Sequence, residues 1–339
     1  MSKSHRGIAL AALVALAICA NSASAQSPAE FYKGKTVNII VGFSPGGGYD
    51  QYGRLLARRY GEHIPGKPVV VVQNAPGAGS LTAVRRLDAS LPRDGTAIVI
   101  FNPALITETI LEPEKLKFKF TDVEFIGSIT RDFRVCFMWH ASGARTWDDV
   151  MKKPEVIFGS TSKGTGAYVN QAILKNVFGI KARQILGFPG SAEQRIAIER
   201  GELDGDCGSW SSIPDEWIRD KKAFPFVMFS PYKTPDMPDG IPYIGTFATS
   251  EEQKGVLDIL NAAGELGRPF VVSKSIPADR LEALRKAFDD TMKDPEFLAD
   301  AKKQQLPVFP IDGKEALEIV RKIYAASPAL VAKARAAAE

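Results

Sequence analysis

The sequence predicts an α/β protein of two lobes, each a mainly parallel sheet flanked by helices, with a ligand cleft between them. Three observations carry that reading. Residues 37–41 form a strand apolar except at Asn38 that runs through a glycine loop (42–48) into a helix starting near Tyr49. The same order of strand, glycine loop and helix restarts at Val156, an echo of architecture rather than a sequence repeat. Strands that are apolar nearly throughout belong to parallel sheets covered on both faces, where ligands sit at the carboxyl ends of the strands.

Taken in order, the first helix runs to about His63, and residues 68–74 (Pro-Val-Val-Val-Val-Gln-Asn) make a second buried strand. Residues 75–80 are a second glycine loop, opening a helix to about Ala89. Asp94-Gly95 then turns the chain into a third strand, 96–101. Residues 124–139 are mostly extended and suit a crossing between lobes. A short helix (146–153) leads to strand 156–160, loop 161–166 and a helix to Phe178. Strand 183–188, helix 192–200 and strands 203–207 and 224–229 complete the second unit. Proline-rich residues 231–242 read as a return linker. Strand 269–273 follows, Pro277 opens a helix at its first position, and residues 279–338 carry the periodic Leu and Ala faces of helices. The expected division is an export segment at 1–25, a first lobe from 26–130 with 247–339, and a second lobe from 131–246.

Enzyme motifs near the glycine loops each lack a necessary atom. Gly42-Phe43-Ser44-Pro45-Gly46 has the spacing of a nucleophile elbow, but Pro45 has no N–H for the oxyanion hole and no histidine follows His140. Gly46-Gly47-Gly48 lacks the last glycine of a dinucleotide fingerprint. Residues 61–68 miss a phosphate-binding loop at Pro68, which has no hydroxyl, and they lead from helix into strand. A secreted serine hydrolase using Ser44 is therefore the rival from another class; no catalytic residue is assigned.

The chain opens with Lys3 and Arg6, an apolar run from Ile8 to Ala20, and Ala23-Ser24-Ala25. These are the parts of an export signal cleaved after Ala25, which would place the protein in the periplasm. Losing those two basic residues takes the net charge from +4 to +2, a balance that gives no reason to expect nucleic acid or an anionic membrane as partner. Cys136 and Cys207 remain, free to bridge or not in an oxidising compartment. His63 and His140 show no metal-ligand spacing with them, so no metal or cofactor is expected.

Two similar lobes without catalytic apparatus indicate a clamshell that closes on a small molecule. The residues 36–50 through Gly46-Gly47-Gly48-Tyr49-Asp50, with Arg54, resemble the first signature of the Bug/TctC proteins, extracytoplasmic solute receptors of tripartite tricarboxylate transporters. Residues 68–79 resemble the second signature and Asp94-Gly95-Thr96 the third. Gly190-Ser191, Gly201-Glu202-Leu203-Asp204 and the Pro269 segment fall in the family's order, so the resemblance covers nearly the whole chain after residue 25. It implies a periplasmic-binding-protein fold of type II kind, capture of a small organic acid through backbone amides, and delivery to membrane permease subunits by a monomer. A receptor serving a signalling system is the alternative within binding proteins. Tyr49 and the stretch 205–210 depart from the commonest family pattern and point to a divergent branch with its own ligand.

Carried over by position, the expected ligand contacts are Phe43, Ser44, Gly46, Gly47, Gly48, Tyr49, Asp50, Asn74 and Gly77 on one side. Ser162, Thr165, Gly166, Ala167 and Trp210 stand on the other. Each has an ordinary structural reading as well. The glycines make a tight turn, and Asp50 suits a first helical turn. Asn74 and Gly77 can brace the first loop, Thr165 can cap a helix, and Tyr49 and Trp210 can be packed aromatics. Arg131 and Arg134 sit near the crossing, where a buried guanidinium could hold a carboxylate.

Overall fold

The computed structural model describes residues 26–339; the export segment expected at 1–25 lies outside the described residues. Eleven strands run β1 (Thr36–Val41), β2 (Val69–Asn74), β3 (Ala97–Ile100), β4 (Val123–Ser128), β5 (Val135–Trp139), β6 (Val156–Gly159), β7 (Ala182–Ile185), β8 (Gly205–Asp206), β9 (Ala223–Met228), β10 (Pro269–Ser273) and β11 (Ile311–Asp312). They form two sheets, ordered β11-β4-β10-β3-β1-β2 and β7-β6-β8-β5-β9.

The two orders share one plan. Three parallel strands (β2-β1-β3, and β7-β6-β8) adjoin an antiparallel strand, β10 or β5, which arrives from the other sheet. Beyond it comes another antiparallel pairing, to β4 or β9. The sheets are thus mixed rather than mainly parallel. The reason is geometric: a chain crossing from the other lobe enters beside the carboxyl ends of the parallel strands and has to run back against them.

Local sequence places the elements. In β1, Val37, Ile39 and Val41 join one core cluster and Ile40 the other, so both faces of the strand are covered. The helix Gly48–His63 buries Tyr52, Leu55, Leu56 and Tyr60, the spacing of one helical face, against the first of these cores. Gly53 lets it approach closely, since a Cβ there would sit 3.0 Å from Val41. In the second sheet Cys136 and Met138 face one core, and Val135, Phe137 and Trp139 the other. Cys136 on β5 and Cys207 just after β8 are joined in a disulfide.

The C-terminal segment serves both sheets. Helices Ala278–Thr291, Pro295–Lys303 and Gly313–Tyr324 pack on the first. Helices Glu251–Ala262 and Pro328–Ala338, through Val256, Leu257, Leu260, Ala334 and Ala337, join the core of the second. Pro277 caps its helix from just outside rather than opening it. No helix among the described residues is long and apolar enough to cross a membrane.

Candidate functional site

Three helices begin at one place between the sheets: Gly48–His63, Gly166–Asn176 and Ser191–Glu199. The first and third start from glycines, Gly47 and Gly190, that offer no side-chain cap. In the second, Thr165 Oγ1 accepts the Tyr168 N–H. First-turn amides have no partner inside their own helix, and the dipoles add a positive potential at that end. Gly47, Gly48, Tyr49, Gly166, Ala167 and Ser191 all line a single cavity with about 70 Å³ of free space. Phe43, Asn102, Arg134, Thr161, Thr165, Gln194, Asp206, Gly208, Ser209 and Ser212 complete its wall. Amides from both lobes thus converge on a space fit for a small anion.

The lobes meet across this cavity through glycines. A Cβ on Gly47 would lie 2.9 Å from Ser191 Oγ, and one on Gly48 would collide with Ser212 Oγ. On the second loop a Cβ on Gly79 would come within 2.7 Å of Ser162 Oγ and of Thr165. Polar bonds join the lobes beside these contacts. Ser44 Oγ donates to Glu193 Oε2 at 2.9 Å, and Arg195 donates across to the Gly46 carbonyl at 3.0 Å while also holding the Ser212 carbonyl of its own lobe at 3.0 Å.

A buried charge cluster forms the floor. Asp132 accepts from Arg134 at 2.8 Å and lies 3.7 Å from Arg268, whose side chain is only 1% exposed. Burial alone would raise the Asp132 carboxyl, but the two guanidinium groups outweigh it and hold the carboxyl lowered. Arg268 also lies over the Tyr49 ring, 4.5 Å from its centre, while Phe43 stacks on the same ring at 4.7 Å. Tyr49 hydroxyl reaches Asn102 Oδ1 at 3.3 Å, so this aromatic is a fixed wall of the cavity.

Of the residues expected from sequence, Phe43, Gly47, Gly48, Tyr49, Thr165, Gly166 and Ala167 come together in the cavity wall. Ser44, Gly46 and Ser162 lie at the lobe-to-lobe contacts just outside it. Asp50 is turned into the protein, accepting from Gly46 N–H, Arg54 Nε and Asn74 Nδ2 at 2.9, 2.9 and 2.8 Å. Burial would raise the Asp50 carboxyl, but these bonds leave it lowered. Asn74 also donates to the Phe43 carbonyl at 3.0 Å, bracing the loop. Gly77 abuts Thr82 with a φ of 152°, and Trp210 belongs to the core, its Nε1 donating to Asp236. Arg131 pairs with Glu265 outside the cavity. Arg134 lines it, its Nη1 donating to Asp132 and its Nη2 to the Cys207 carbonyl, while its buried Nε has no hydrogen-bond partner.

The wall residues that sequence reasoning missed are chiefly Ser191, Gln194, Asp206 and Ser212. Asp206 carried the one usable signal, a carboxylate inside a strand otherwise made for burial. A larger cavity, about 220 Å³, opens between helix Ala104–Leu111 and residues 163–169. Glu108, Glu112 and Glu339 set three carboxylates against Lys163 and Arg335 there, the wrong balance for an anion. His63 bonds Asp294 at 2.9 Å and His140 lies against Trp139, so neither imidazole serves Ser44. Among the described residues no group of His, Cys, Asp and Glu is placed to hold a metal ion.

No protein-family profile matches the chain. It is 24% identical over 315 residues, 86% of this chain and 89% of the relative, to a UPF0065 protein from the tcbD-tcbE intergenic region of Pseudomonas sp. strain P51. It is 25% identical over 198 residues to a UPF0065 protein of Bordetella pertussis, a match spanning 57% of this chain and 59% of that relative, less than two thirds of its length. The periplasmic binding protein BugD shares its fold, with a TM-score of 0.71 and 20% identity over 88% of this chain and 96% of that one. The chain is thus similar in sequence to UPF0065 proteins and in fold to BugD and to a TctC solute binding protein from Polaromonas. Two further structures with the fold carry ligands. MatC of Rhodopseudomonas palustris holds malate (TM-score 0.70, 14% identity, 90% and 99% covered) and an R. palustris protein holds adipate (0.70, 15%, 88% and 97%). The chain thus has the two-lobed fold of periplasmic solute-binding proteins.

Proposed function

We propose that this chain is a periplasmic receptor that closes its two lobes over a small organic acid and presents it to the permease subunits of a tripartite tricarboxylate-type transporter. The observation that carries the reading is the convergence of three helix N-termini, from both lobes, on one small cavity. A carboxylate satisfied by amides from one lobe alone is held weakly. With both lobes in place it gains the second set, so the acid stabilises the closed form by its differential affinity. The acids seen in fold neighbours support the ligand class, and the charged and apolar N-terminal segment supports export. No step of the proposed role breaks a covalent bond: Ser44 acts as a lobe-to-lobe contact.

A thermal-shift screen of the protein beginning at Gln26, with mono-, di- and tricarboxylates and their neutral amides, tests this directly. An acid at about 100 times its dissociation constant adds about 2.7 kcal/mol of stability. Shifts from acids and none from their amides are expected; shifts confined to neutral solutes would overturn the reading.

A further inference from the structure

Asp206, at the end of β8, is the single acidic residue in the wall of the cavity. Its side chain is almost wholly buried, 7% exposed. One oxygen, Oδ1, is used: it accepts the Cys207 N–H at 2.7 Å and lies 3.4 Å from Gln194 Nε2. The other, Oδ2, faces Gly208, where a Cβ would stand 3.2 Å away, and the missing side chain leaves that oxygen a path to the cavity. Among the described residues no lysine or arginine nitrogen reaches Asp206 within ion-pair distance. The two nearby guanidinium groups are engaged elsewhere, Arg134 with Asp132 and Arg195 with two carbonyls. Burial accordingly pushes the carboxyl up to about 6, against the opposing pull of the Cys207 amide, Arg134 and Arg195.

A buried carboxylate without a cation is costly, and it is relieved by a partner that brings positive charge and hydrogens to the open oxygen. The amides around the same cavity call for the opposite charge. One small molecule that answers both is a zwitterion. We infer that the ligand is an amino acid, its carboxylate held by the helix N-termini and its ammonium received by Asp206 Oδ2. The inference rests on the organic-acid reading above and narrows it: Asp206 becomes the specificity-determining residue, one that rewards an ammonium and repels a second carboxylate at that end.

Titration calorimetry with matched pairs tests it: glycine and acetate, alanine and propionate, serine and 3-hydroxypropionate, aspartate and succinate. Wild type and Asp206→Asn are compared, with the melting temperature of each protein without solute confirming that the near-isosteric variant is folded. Wild type should prefer one amino acid over its deaminated partner. Asp206→Asn should lose roughly ten- to hundred-fold in affinity for that amino acid and little for the partner acid. The preference should also fade between about pH 8 and about pH 5 as Asp206 takes a proton. The other charged or titratable groups facing it, Arg134, Arg195 and Tyr49, keep one charge state over that range.

Deaminated acids that bind while amino acids do not would overturn the inference and leave the organic-acid receptor standing. So would an amino acid bound equally by both proteins. Acid binding that strengthens toward pH 5 and vanishes in Asp206→Asn would do the same, showing a protonated Asp206 donating to a ligand carboxylate. Binding confined to neutral solutes would overturn both readings together.

Discussion

Ser44 Oγ donates a 2.9 Å hydrogen bond to Glu193 Oε2, tying the first glycine loop to a helix that starts on the opposite side of the cavity. The bond exists only while the lobes are together, and a Cβ on Gly190 beside it would collide with Ser44. Ser44→Ala should weaken ligand binding by roughly ten- to hundred-fold, the worth of one bond to a charged acceptor, with the fold intact. Calorimetry beside circular dichroism measures both; an unchanged affinity would show that this bond does not hold the closed form.

Gly48 makes the sharper case. Its missing Cβ is the space that Ser212 Oγ occupies, and Arg268 lies 3.1 Å from the same point. Gly48→Val and Gly47→Val should each abolish measurable binding and leave the lobes apart. Small-angle scattering should then give a larger radius of gyration with or without ligand.

Asp50 behaves differently because it faces inward. Three donors converge on its carboxylate, and Asn74 links it to the Phe43 carbonyl. Asp50→Ala should cost about 1–3 kcal/mol in stability. A denaturant midpoint equal to that of wild type would contradict this bracing role.

The acid limit of stability is predicted to involve Asp294. Its hydrogen bond from His63 is the largest cause holding the carboxyl down to about 2, helped by the amides of Glu296 and Phe297 and by Arg59, while burial opposes. A depressed carboxyl contributes stability above its unfolded value near 3.8, and that contribution is lost as pH falls from there through about 2. Asp294→Asn should therefore be less stable than wild type at neutral pH, with the gap closing between about pH 4 and about pH 2 in thermal melts.

The disulfide between Cys136 and Cys207 bridges β5 and the end of β8 across a sequence separation of 71. By the chain-entropy account a loop of that length is worth about 4 kcal/mol. Replacing both cysteines with Ala should lower stability by an amount of that order, read as the shift in urea midpoint.

Much of this protein was legible before the structure. The apolar runs at β1, β2, β3 and β6, the glycine loops after β1 and β6, and the helices they open follow from local chemistry. Such chemistry depends on neighbours in the chain; Phe43, Gly47, Gly48, Tyr49, Thr165, Gly166 and Ala167 on those loops were named by position from the family resemblance, and they meet in the cavity wall. Other features depend on pairing over long separations, which no local pattern encodes. β10 inserts between β3 and β4, and Glu251–Ala262 packs on the second sheet. Whether Asp50 faces ligand or protein was likewise undecided until Arg54 and Asn74 were seen to reach it.

By itself the sequence determined a two-lobed α/β frame with glycine loops aimed between the lobes, because backbone freedom and strand hydrophobicity are written residue by residue. Only the tertiary structure decided that Arg134 is spent on Asp132 and that Asp206 faces the cavity without a cation. Burial and charge pairing are properties of groups brought together by folding, and a residue's letter carries neither.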